Sequence, residues 1–379
     1  MSTVQAATPI GGVDPARRAA FADRLFESTV AAFDLVTMYI GERLGLYSAL
    51  AAAGPSTSAA LAAATGTSER YAREWLEQQA AGGLLAVDDP ALPADRRRFS
   101  LPPEHAEVLL DEGSLSYLAP LGRLLVGIVG PLEEVIEAFR TGGGVPWDAY
   151  DEPVRTGQAD FNRPQFLELL ASEWLPAIPD VHARLLAEPP ARVADIACGA
   201  GWSSIAIALG YPRTVVDGFD LDEPSIAAAR ANAEAMGVAE RVRFTVADAT
   251  DPPLDGGYDL VTVFEALHDL SQPVEALTAM RRLATPHGAV LVMDERVADT
   301  FEAPATPVER FLYQASVLLC LPNGMAEQPS AATGTVMRLE TLRRHAAAAG
   351  FSNAEVLPIE HDLFRFYRLH AAVPSERPR

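Results

Sequence analysis

The stretch Asp195-Ile-Ala-Cys-Gly-Ala-Gly-Trp202 joins an apolar strand pattern, ARVADIA, to a helical pattern, SSIAIALG. Glycines in such a strand-to-helix turn allow a tight backbone and the close approach of a ligand at the carboxyl edge of a parallel sheet. A dinucleotide fingerprint requires a third glycine, where this chain has Ser204. The carboxylate of Asp195 would repel a pyrophosphate and attract a cation, so the turn favours a positively charged ligand.

Strands and helices alternate on the carboxyl side of this turn. The strand patterns that follow are TVVDGFDL, VRFTVAD, YDLVTVFEAL and AVLVMDE, with helical patterns such as PSIAAARANAEAMG and QPVEALTAMRRLA between them. Such alternation predicts right-handed βαβ units and a parallel sheet that helices cover on both faces. The last runs, NAEVLPI and LFRFYRL, predict a hairpin that completes the sheet at its edge. We therefore expect an α/β, Rossmann-like domain of seven strands over residues 191–379.

Two of these strands also end in a carboxylate. Asp220 ends the second strand and could accept hydrogen bonds from both hydroxyls of a ribose, and Asp248 ends the third and could accept from the amine of an adenine. Either residue alone could be a helix or turn cap, because aspartate favours such positions. Together with Asp195 at one sheet edge, the two residues instead favour a cationic ligand that contains adenosine.

From Arg192 to about Ala372 the chain resembles the class I methyltransferases that use S-adenosylmethionine (SAM). DIACGAG is similar to the glycine loop of that family, GFDLDE to its ribose-binding strand end, VADATD to its adenine site and YDLVTVFEALHDL to its fourth motif. One departure is Ala197, where the family usually has its first glycine, and a residue this small still permits close approach of the backbone. The resemblance implies SAM as the cofactor and a small molecule as the methyl acceptor.

The resemblance also implies which residues contact the cofactor. The set begins in the glycine loop, continues along the ends of the second and third strands, and finishes after the fourth strand. Its members are Asp195, Ala197, Gly199 and Gly201 at the methionine end, Asp220 at the ribose, Asp248 and Ala249 at the adenine, and Phe264 with Glu265 near the methyl group.

His268 is the candidate catalytic base. It lies in Glu265-Ala-Leu-His-Asp269 after the fourth strand, and it resembles the base of O-methyltransferases that have a His-Asp pair there. A hydroxyl is a poor nucleophile until it loses its proton, whereas an amine or an electron-rich carbon needs positioning alone. Asp294, with Glu295, ends the neighbouring strand and could orient the imidazole. We therefore predict O-methylation with His268, Glu265 and Asp294 at the catalytic centre; N- or C-methylation remains the alternative.

The amino-terminal part predicts a winged helix. Helical patterns over Pro15–Ala53, STSAALAAATG and ERYAREWLEQQAAGG precede two short strand patterns, LLAVDD and RRRFSL. A DNA-binding third helix would need phosphate contacts, but this one has three glutamates against two arginines. We therefore expect residues 1–113 to form a dimerisation and substrate-covering domain of a homodimer, and residues 114–190 to form a helical connection. A ligand-sensing transcriptional regulator is the alternative.

A segment over about 299–337 is longer than an ordinary loop. It is rich in leucine, phenylalanine and methionine, which predicts either additional core helices or an apolar lid over a substrate that is itself apolar or aromatic. Cys320 within it is a small hydrophobic residue in this interpretation rather than a nucleophile.

Composition narrows the chemistry further. The 379 residues have a formal net charge of −21 and include no lysine, so all 30 basic residues are arginine. A Schiff-base lysine is therefore excluded, and the acidic balance disfavours nucleic acid and anionic membranes as partners. Cys198 and Cys320 alone cannot supply a zinc site, so we expect no metal. The start of the chain has no apolar signal segment, which favours a cytoplasmic location.

Overall fold

The computed structural model describes residues 12–252 and 256–371, and the chain separates into two compact units between Leu110 and Asp111. In the described residues, the first unit has five helices and one short antiparallel strand pair. Their bounds are α1 Pro15–Arg43, α2 Leu46–Ala53, α3 Ser58–Thr65, α4 Glu69–Ala81, β1 Ala86–Val87, β2 Phe99–Ser100 and α5 Pro103–Leu110.

The first helical region consists of two helices, where the sequence predicts one over Pro15–Ala53. Gly45 between α1 and α2 has a φ of +65°, in the left-handed region that ends a helix. Tyr47 of α2 is buried against Trp75 of α4, with ring centroids 5.0 Å apart. The predicted strand pair is confirmed, because β1 and β2 are antiparallel neighbours.

The second unit begins with the helices that the sequence analysis assigns to a connection over residues 114–190. In the structure these helices cluster with the sheet in one unit. They are α6 Pro120–Ile128, α7 Leu132–Thr141, α8 Glu152–Gln165, a π-helical continuation Phe166–Trp174, and α9 Pro179–Leu186. The later helices are α10 Trp202–Gly210, α11 Glu223–Ala235, α12 Pro273–Leu283, α13 Pro307–Ala315, a π-helical segment Ser316–Cys320, α14 Leu321–Gly324 and α15 Leu339–Ala348.

A seven-stranded sheet organises this unit in the order β5-β4-β3-β6-β7-β9-β8. The strands β3 to β7 run parallel, and β9 is antiparallel to both β7 and β8. The predicted Rossmann-like α/β fold and its closing hairpin are therefore confirmed. The strand bounds are β3 Arg192–Ile196, β4 Val215–Asp220, β5 Val242–Val246, β6 Tyr258–Phe264, β7 Ala284–Glu295, β8 Phe351–Val356 and β9 Phe364–Ala371.

The core of this unit lies on both faces of the sheet. On one face Val193 of β3 packs in a buried cluster with Ile205 of α10, and on the other Ile196 packs with Val261 and Leu277. Burial of β3 on both faces is expected for a central parallel strand and agrees with the apolar residues Val193, Ala194 and Ile196. Within residues 12–252 and 256–371, every helix is too short or too polar to serve as a transmembrane span.

Candidate functional site

Three neighbouring strands bring their carboxyl ends to one edge of the sheet. The last residue of β3, Ile196, is paired with Phe219 of β4 on one side and with Val263 of β6 on the other. The turn after β3, the end of β4 at Asp220 and the residues after β6 therefore lie side by side. This edge is the usual position of a ligand in an open α/β sheet.

The turn after β3 depends on left-handed backbone conformations. Ala197, Gly199 and Gly201 have φ values of +55°, +51° and +81°. A Cβ atom at Gly201 would lie 2.4 Å from the ring of Phe244, so close packing requires glycine there. A Cβ atom at Gly199 would meet no atom within 4 Å among the described residues. Gly199 therefore borders open space, in which a ligand could approach the backbone.

Asp195 lies beneath this turn and is only 1% exposed. Its carboxylate accepts hydrogen bonds from Ser203 Oγ at 2.6 Å, Ser204 Oγ at 2.7 Å and Thr262 Oγ1 at 2.7 Å. Burial raises the pKa of Asp195 despite these three donors. The sequence analysis places Asp195 against a cationic ligand, whereas in the structure its hydrogen bonds tie β3, β6 and α10 together.

Asp220 connects the second strand to the turn. Its Oδ2 accepts the N–H of Gly199 at 2.8 Å, and its Oδ1 accepts the N–H of Asp222 at 2.9 Å. Burial raises the pKa of Asp220. Asp222 is held in turn by Arg155 of α8, whose Nε lies 3.0 Å from its Oδ2. Each oxygen of Asp220 has a lone pair beyond these bonds, so the carboxylate can accept from further donors.

Asp248 has a different environment. The residue is exposed, and its Oδ1 accepts from the N–H of Thr250 at 2.7 Å and from the Thr250 hydroxyl at 2.8 Å. It therefore stabilises its own turn, as the capping interpretation of the sequence expects. The neighbouring Ala247 N–H donates to the carbonyl of Asp220, which joins this turn to the end of β4. Ala249 beside it is partly buried.

His268 is 2% exposed and lies among three carboxylates. Its Nδ1 is 2.7 Å from Asp294 Oδ1 and 2.9 Å from Glu295 Oε2, and its Nε2 is 3.3 Å from Asp269 Oδ1. Burial alone would lower the pKa of His268, but the three carboxylates together raise it well above the ordinary value. The structure thus brings His268 and Asp294 together, at the edge where β6 and β7 end.

The pKa values of Asp294 and Glu295 are shifted in opposite directions. Burial and the nearby charge of Asp294 raise the pKa of Glu295 well above its ordinary range, although the imidazole acts in the opposite direction. For Asp294, burial is outweighed by the imidazole and by hydrogen bonds, so its pKa is lowered. The structure therefore pairs His268 with Asp294 and places the Glu295 carboxyl group beside the same ring nitrogen.

Glu265 follows β6 directly and has a left-handed φ of +54°. Its Oε1 accepts from Gln158 Nε2 at 2.9 Å, and its Oε2 accepts from Asn162 Nδ2. Burial raises the pKa of Glu265 to about 7, although His268 and both amides act in the opposite direction. A left-handed conformation in a non-glycine residue is strained and is often found at functional sites.

The sequence analysis did not single out Gln158 and Asn162, the two partners of Glu265. Gln158 and Asn162 lie four residues apart on α8, a spacing that places both amides on one helix face. That spacing is the available signal, but it does not reveal the partner of the two amides. Phe264, which was predicted, is buried and stacks on Phe166 with ring centroids 5.9 Å apart.

The segment predicted as a lid or as additional core contains α13, a π-helical turn and α14. The π-helical turn ends at Cys320, whose Sγ lies within 4.8 Å of ligand atoms of His268 and Asp269. Burial raises the pKa of the Cys320 thiol to about 12, so it is neutral. The hydroxyl of buried Tyr150 donates to the carbonyl of Leu318 at 2.8 Å and fixes this turn. The segment therefore packs directly on the His268 group.

Comparisons with known proteins agree with this architecture. A family model described as a methyltransferase domain matches residues 188–332, and a model described as an Rv2258c-like winged HTH domain matches residues 31–110. The demethylmenaquinone methyltransferase of Thermus thermophilus is 34% identical over 110 residues, which are 29% of this chain and 49% of that protein. The chain thus spans about half the length of this curated relative.

Two solved structures are similar over nearly the whole chain. One is the mitomycin 7-O-methyltransferase, with a TM-score of 0.68, 22% identity, and coverage of 95% of this chain and 100% of that one. The other is human N-acetylserotonin methyltransferase, with a TM-score of 0.67, 17% identity, and coverage of 96% and 100%. At this identity the likeness shows the fold alone.

The fold and the edge site define a class I methyltransferase architecture. Residues 188–332 match the methyltransferase-domain model, and residues 31–110 match the winged HTH model. This class implies SAM as the cofactor, and the chain fits it at three points. Gly199 borders open space, Asp220 keeps free lone pairs, and the indole N–H of Trp202 is buried without an acceptor among the described residues.

Proposed function

We propose that the protein is a SAM-dependent methyltransferase that methylates a hydroxyl group of a small, apolar or aromatic metabolite. The observation that carries the proposal is the pairing of His268 with Asp294 at the same sheet edge as the glycine turn. The mitomycin 7-O-methyltransferase, whose fold is similar, transfers a methyl group to oxygen, which favours an oxygen acceptor here.

Bound SAM supplies an electrophilic methyl group on a sulfonium. The residues proposed to hold it follow the edge from the turn to the end of β6. The turn would contact the methionine end, Asp220 would accept from the ribose hydroxyls, and the turn at Asp248 and Ala249 would face the adenine. The turn residues in this set are Ala197, Gly199 and Gly201, with Phe264 beside them and Asp195 supporting them from beneath.

In this proposal His268 takes the proton of the substrate hydroxyl. Asp294 accepts from Nδ1, which fixes the orientation of the ring, so Nε2, which lies 3.3 Å from Asp269 Oδ1, would be the proton acceptor. The surrounding carboxylates make the imidazole a stronger base, which suits a weakly acidic hydroxyl. Because these carboxylates raise the pKa of His268, the imidazole must first release its own proton to solvent before it can act as the base.

The experiment is an untargeted comparison of metabolites in cells with and without the gene, in search of a mass gain of one methylene. Purified protein is then incubated with SAM and the candidate substrate. The proposal expects one equivalent of S-adenosylhomocysteine (SAH) per methylated product. Turnover of the candidate substrate without SAH would contradict methyl transfer.

One observation favours a second candidate, transfer to nitrogen or carbon by positioning alone. The three carboxylates around His268 raise the pKa of the imidazole well above its ordinary value, and a protonated imidazole cannot accept a proton. In that case His268 would act by position or charge. Substitution of His268 separates the two candidates, as described in the Discussion.

We further propose a homodimer that forms through α1. The helix exposes an apolar series that would be costly to leave in water, with Phe26 71% and Phe33 66% exposed. Sedimentation equilibrium of the wild type and of the double variant Phe26→Glu, Phe33→Glu tests this proposal. We expect a dimer and a monomer, respectively, whereas a wild-type monomer at micromolar concentration would contradict it.

A further inference from the structure

We propose that Glu265 and Asn162 form a recognition site for a primary ammonium group of the bound ligand. The inference rests on the proposed function where that ligand is SAM or SAH. It concerns two side chains that meet beside the glycine turn: a carboxylate after β6 and an amide from α8.

The side chain of Asn162 has a buried acceptor that receives no hydrogen bond from the described residues. Asn162 is 9% exposed, and its Nδ2 faces Glu265 Oε2, because a carboxylate can only accept from the amide. Its Oδ1 is then buried, and it accepts no hydrogen bond from the described part of the chain. An unsatisfied buried carbonyl is costly, so a ligand donor in this position is expected to be stabilising.

The side chains of Glu265 and Asn162 favour a positively charged group on the ligand. A carboxylate and a carbonyl oxygen on adjoining side chains attract a cation that carries several N–H donors. A primary ammonium has three donors in different directions and can serve both acceptors, whereas a hydroxyl has one proton. The nearby cationic candidate, His268, is already paired with Asp294.

Glu265 also lies at the edge of the sheet where the glycine turn is found. Ile196, the last residue of β3, is paired with Val263 of β6, and Glu265 directly follows β6, so Glu265 lies at the same edge of the sheet as the turn after β3. The sequence analysis assigns this role to Asp195, but three hydroxyls already occupy that carboxylate. Glu265 is distinguished from the other carboxylates at this edge by its neighbour Asn162, whose Oδ1 accepts no hydrogen bond from the described residues.

Equilibrium binding by calorimetry tests the inference with three probes. SAH carries an ammonium and a carboxylate, decarboxylated SAH carries the ammonium alone, and 5′-methylthioadenosine carries neither. We expect Glu265→Gln and Asn162→Ala each to weaken binding of the first two probes by about 10- to 100-fold, the range for hydrogen bonds to a charged group. Binding of methylthioadenosine is expected to stay within about twofold, because that probe has no partner for these acceptors.

The matched control is Glu240→Gln, which removes the same charge from an exposed residue before β5, at the opposite edge of the sheet. It is expected to bind all three probes as the wild type does. An equal loss for all probes in Glu265→Gln would overturn the inference, since it would indicate a general effect on the pocket. Thermal unfolding verifies that Glu265→Gln and Asn162→Ala both fold. If one variant does not fold, the other still tests the inference, because each removes a different acceptor of the proposed site.

An ammonium could also belong to the methyl acceptor. Titration of the SAH-saturated protein with tyramine and with 4-ethylphenol, which lacks the amine, tests that source. A loss in Glu265→Gln that is confined to tyramine would assign the site to the acceptor. If Glu265→Gln weakens neither SAH and decarboxylated SAH nor tyramine selectively, the inference is overturned. Failure of the wild type to bind SAH would contradict the proposed function separately.

Discussion

Two groups of buried carboxylates at one sheet edge differ in what surrounds them. Asp195 is enclosed by three hydroxyl donors from Ser203, Ser204 and Thr262. In contrast, Asp294 and its neighbour Glu295 share a single imidazole, through Asp294 Oδ1 and Glu295 Oε2. Both groups are almost fully buried, so burial by itself does not separate support from chemistry. The difference lies in whether the neighbours are neutral donors or groups that titrate.

Neutral hydroxyls stabilise a carboxylate without giving it a proton to exchange. Coupled titratable groups, by comparison, raise and lower the pKa values of one another, and such perturbed groups concentrate at functional sites. We therefore interpret Asp195 as the support of the glycine turn and His268 with Asp294 as the reactive pair. The predictions below test that distinction.

The largest expected effect is that of His268→Ala. Loss of the proton acceptor should lower kcat on the native substrate by roughly 10²- to 10⁴-fold, while the affinity for SAH remains close to that of the wild type. Steady-state kinetics and calorimetry measure the two quantities. The control is His287→Ala, an exposed histidine in the amino-terminal half of β7, at the opposite edge.

A fall of less than about tenfold in His268→Ala, in a protein that still folds and binds SAH, would exclude His268 as the base. The nucleophile would then be a nitrogen or a carbon, activated by positioning alone.

The pH dependence of kcat follows from the same pair. Only the neutral imidazole accepts a proton, so kcat should rise with pH through the pKa of His268, which Asp294, Glu295 and Asp269 raise above its ordinary value. Asp294→Asn removes one of these charges and should move the rising limb to lower pH. A limb that does not move in Asp294→Asn would contradict the coupling between the two residues.

Asp220→Asn should show a smaller effect, on binding. The amide loses one acceptor and the negative charge opposite the ribose hydroxyls, and it leaves buried donors without full partners. We expect SAH to bind about 10- to 100-fold more weakly. Calorimetry measures the change in affinity. An unchanged dissociation constant would show that Asp220, at the end of β4, does not bind the ribose of the ligand.

Asp195→Asn provides the contrast, because we expect it to affect stability more than binding. Loss of a charged acceptor for three hydroxyls should cost about 1–3 kcal/mol in the free energy of unfolding, whereas the affinity for SAH should change by less than in Asp220→Asn. Urea denaturation and calorimetry give both values. A loss of affinity larger than that of Asp220→Asn would mean that Asp195 contacts the ligand directly.

We expect no binding of DNA by the winged-helix unit. Arg70 and Arg73 of α4 form ion pairs with Glu74 and Glu69 on the same helix, and Arg97 pairs with Glu77. The neighbouring glutamates offset the positive charge of these arginines and would repel phosphates, which disfavours a DNA-binding surface on α4. A gel-shift screen against genomic fragments at low salt should show no shifted band, and any specific shift would favour the regulator.

The sheet and its edge were predictable because local patterns determine them. The period of the strands, the glycine turn and the carboxylates at strand ends are all visible in the sequence. The partners of those carboxylates were not, because Thr262 and Asn162 approach them only through the fold. Gly45 shows the limit within a single element, since its left-handed φ breaks a helix that periodicity alone predicts as continuous.

Calorimetric titration of the wild-type protein with SAH, and separately with NAD, tests the central claim most directly. The account predicts saturable binding of SAH with one site per chain and no binding of NAD, because the turn has Ser204 in place of the third glycine of a dinucleotide site. Binding of NAD without binding of SAH would contradict the assignment of this sheet edge to SAM.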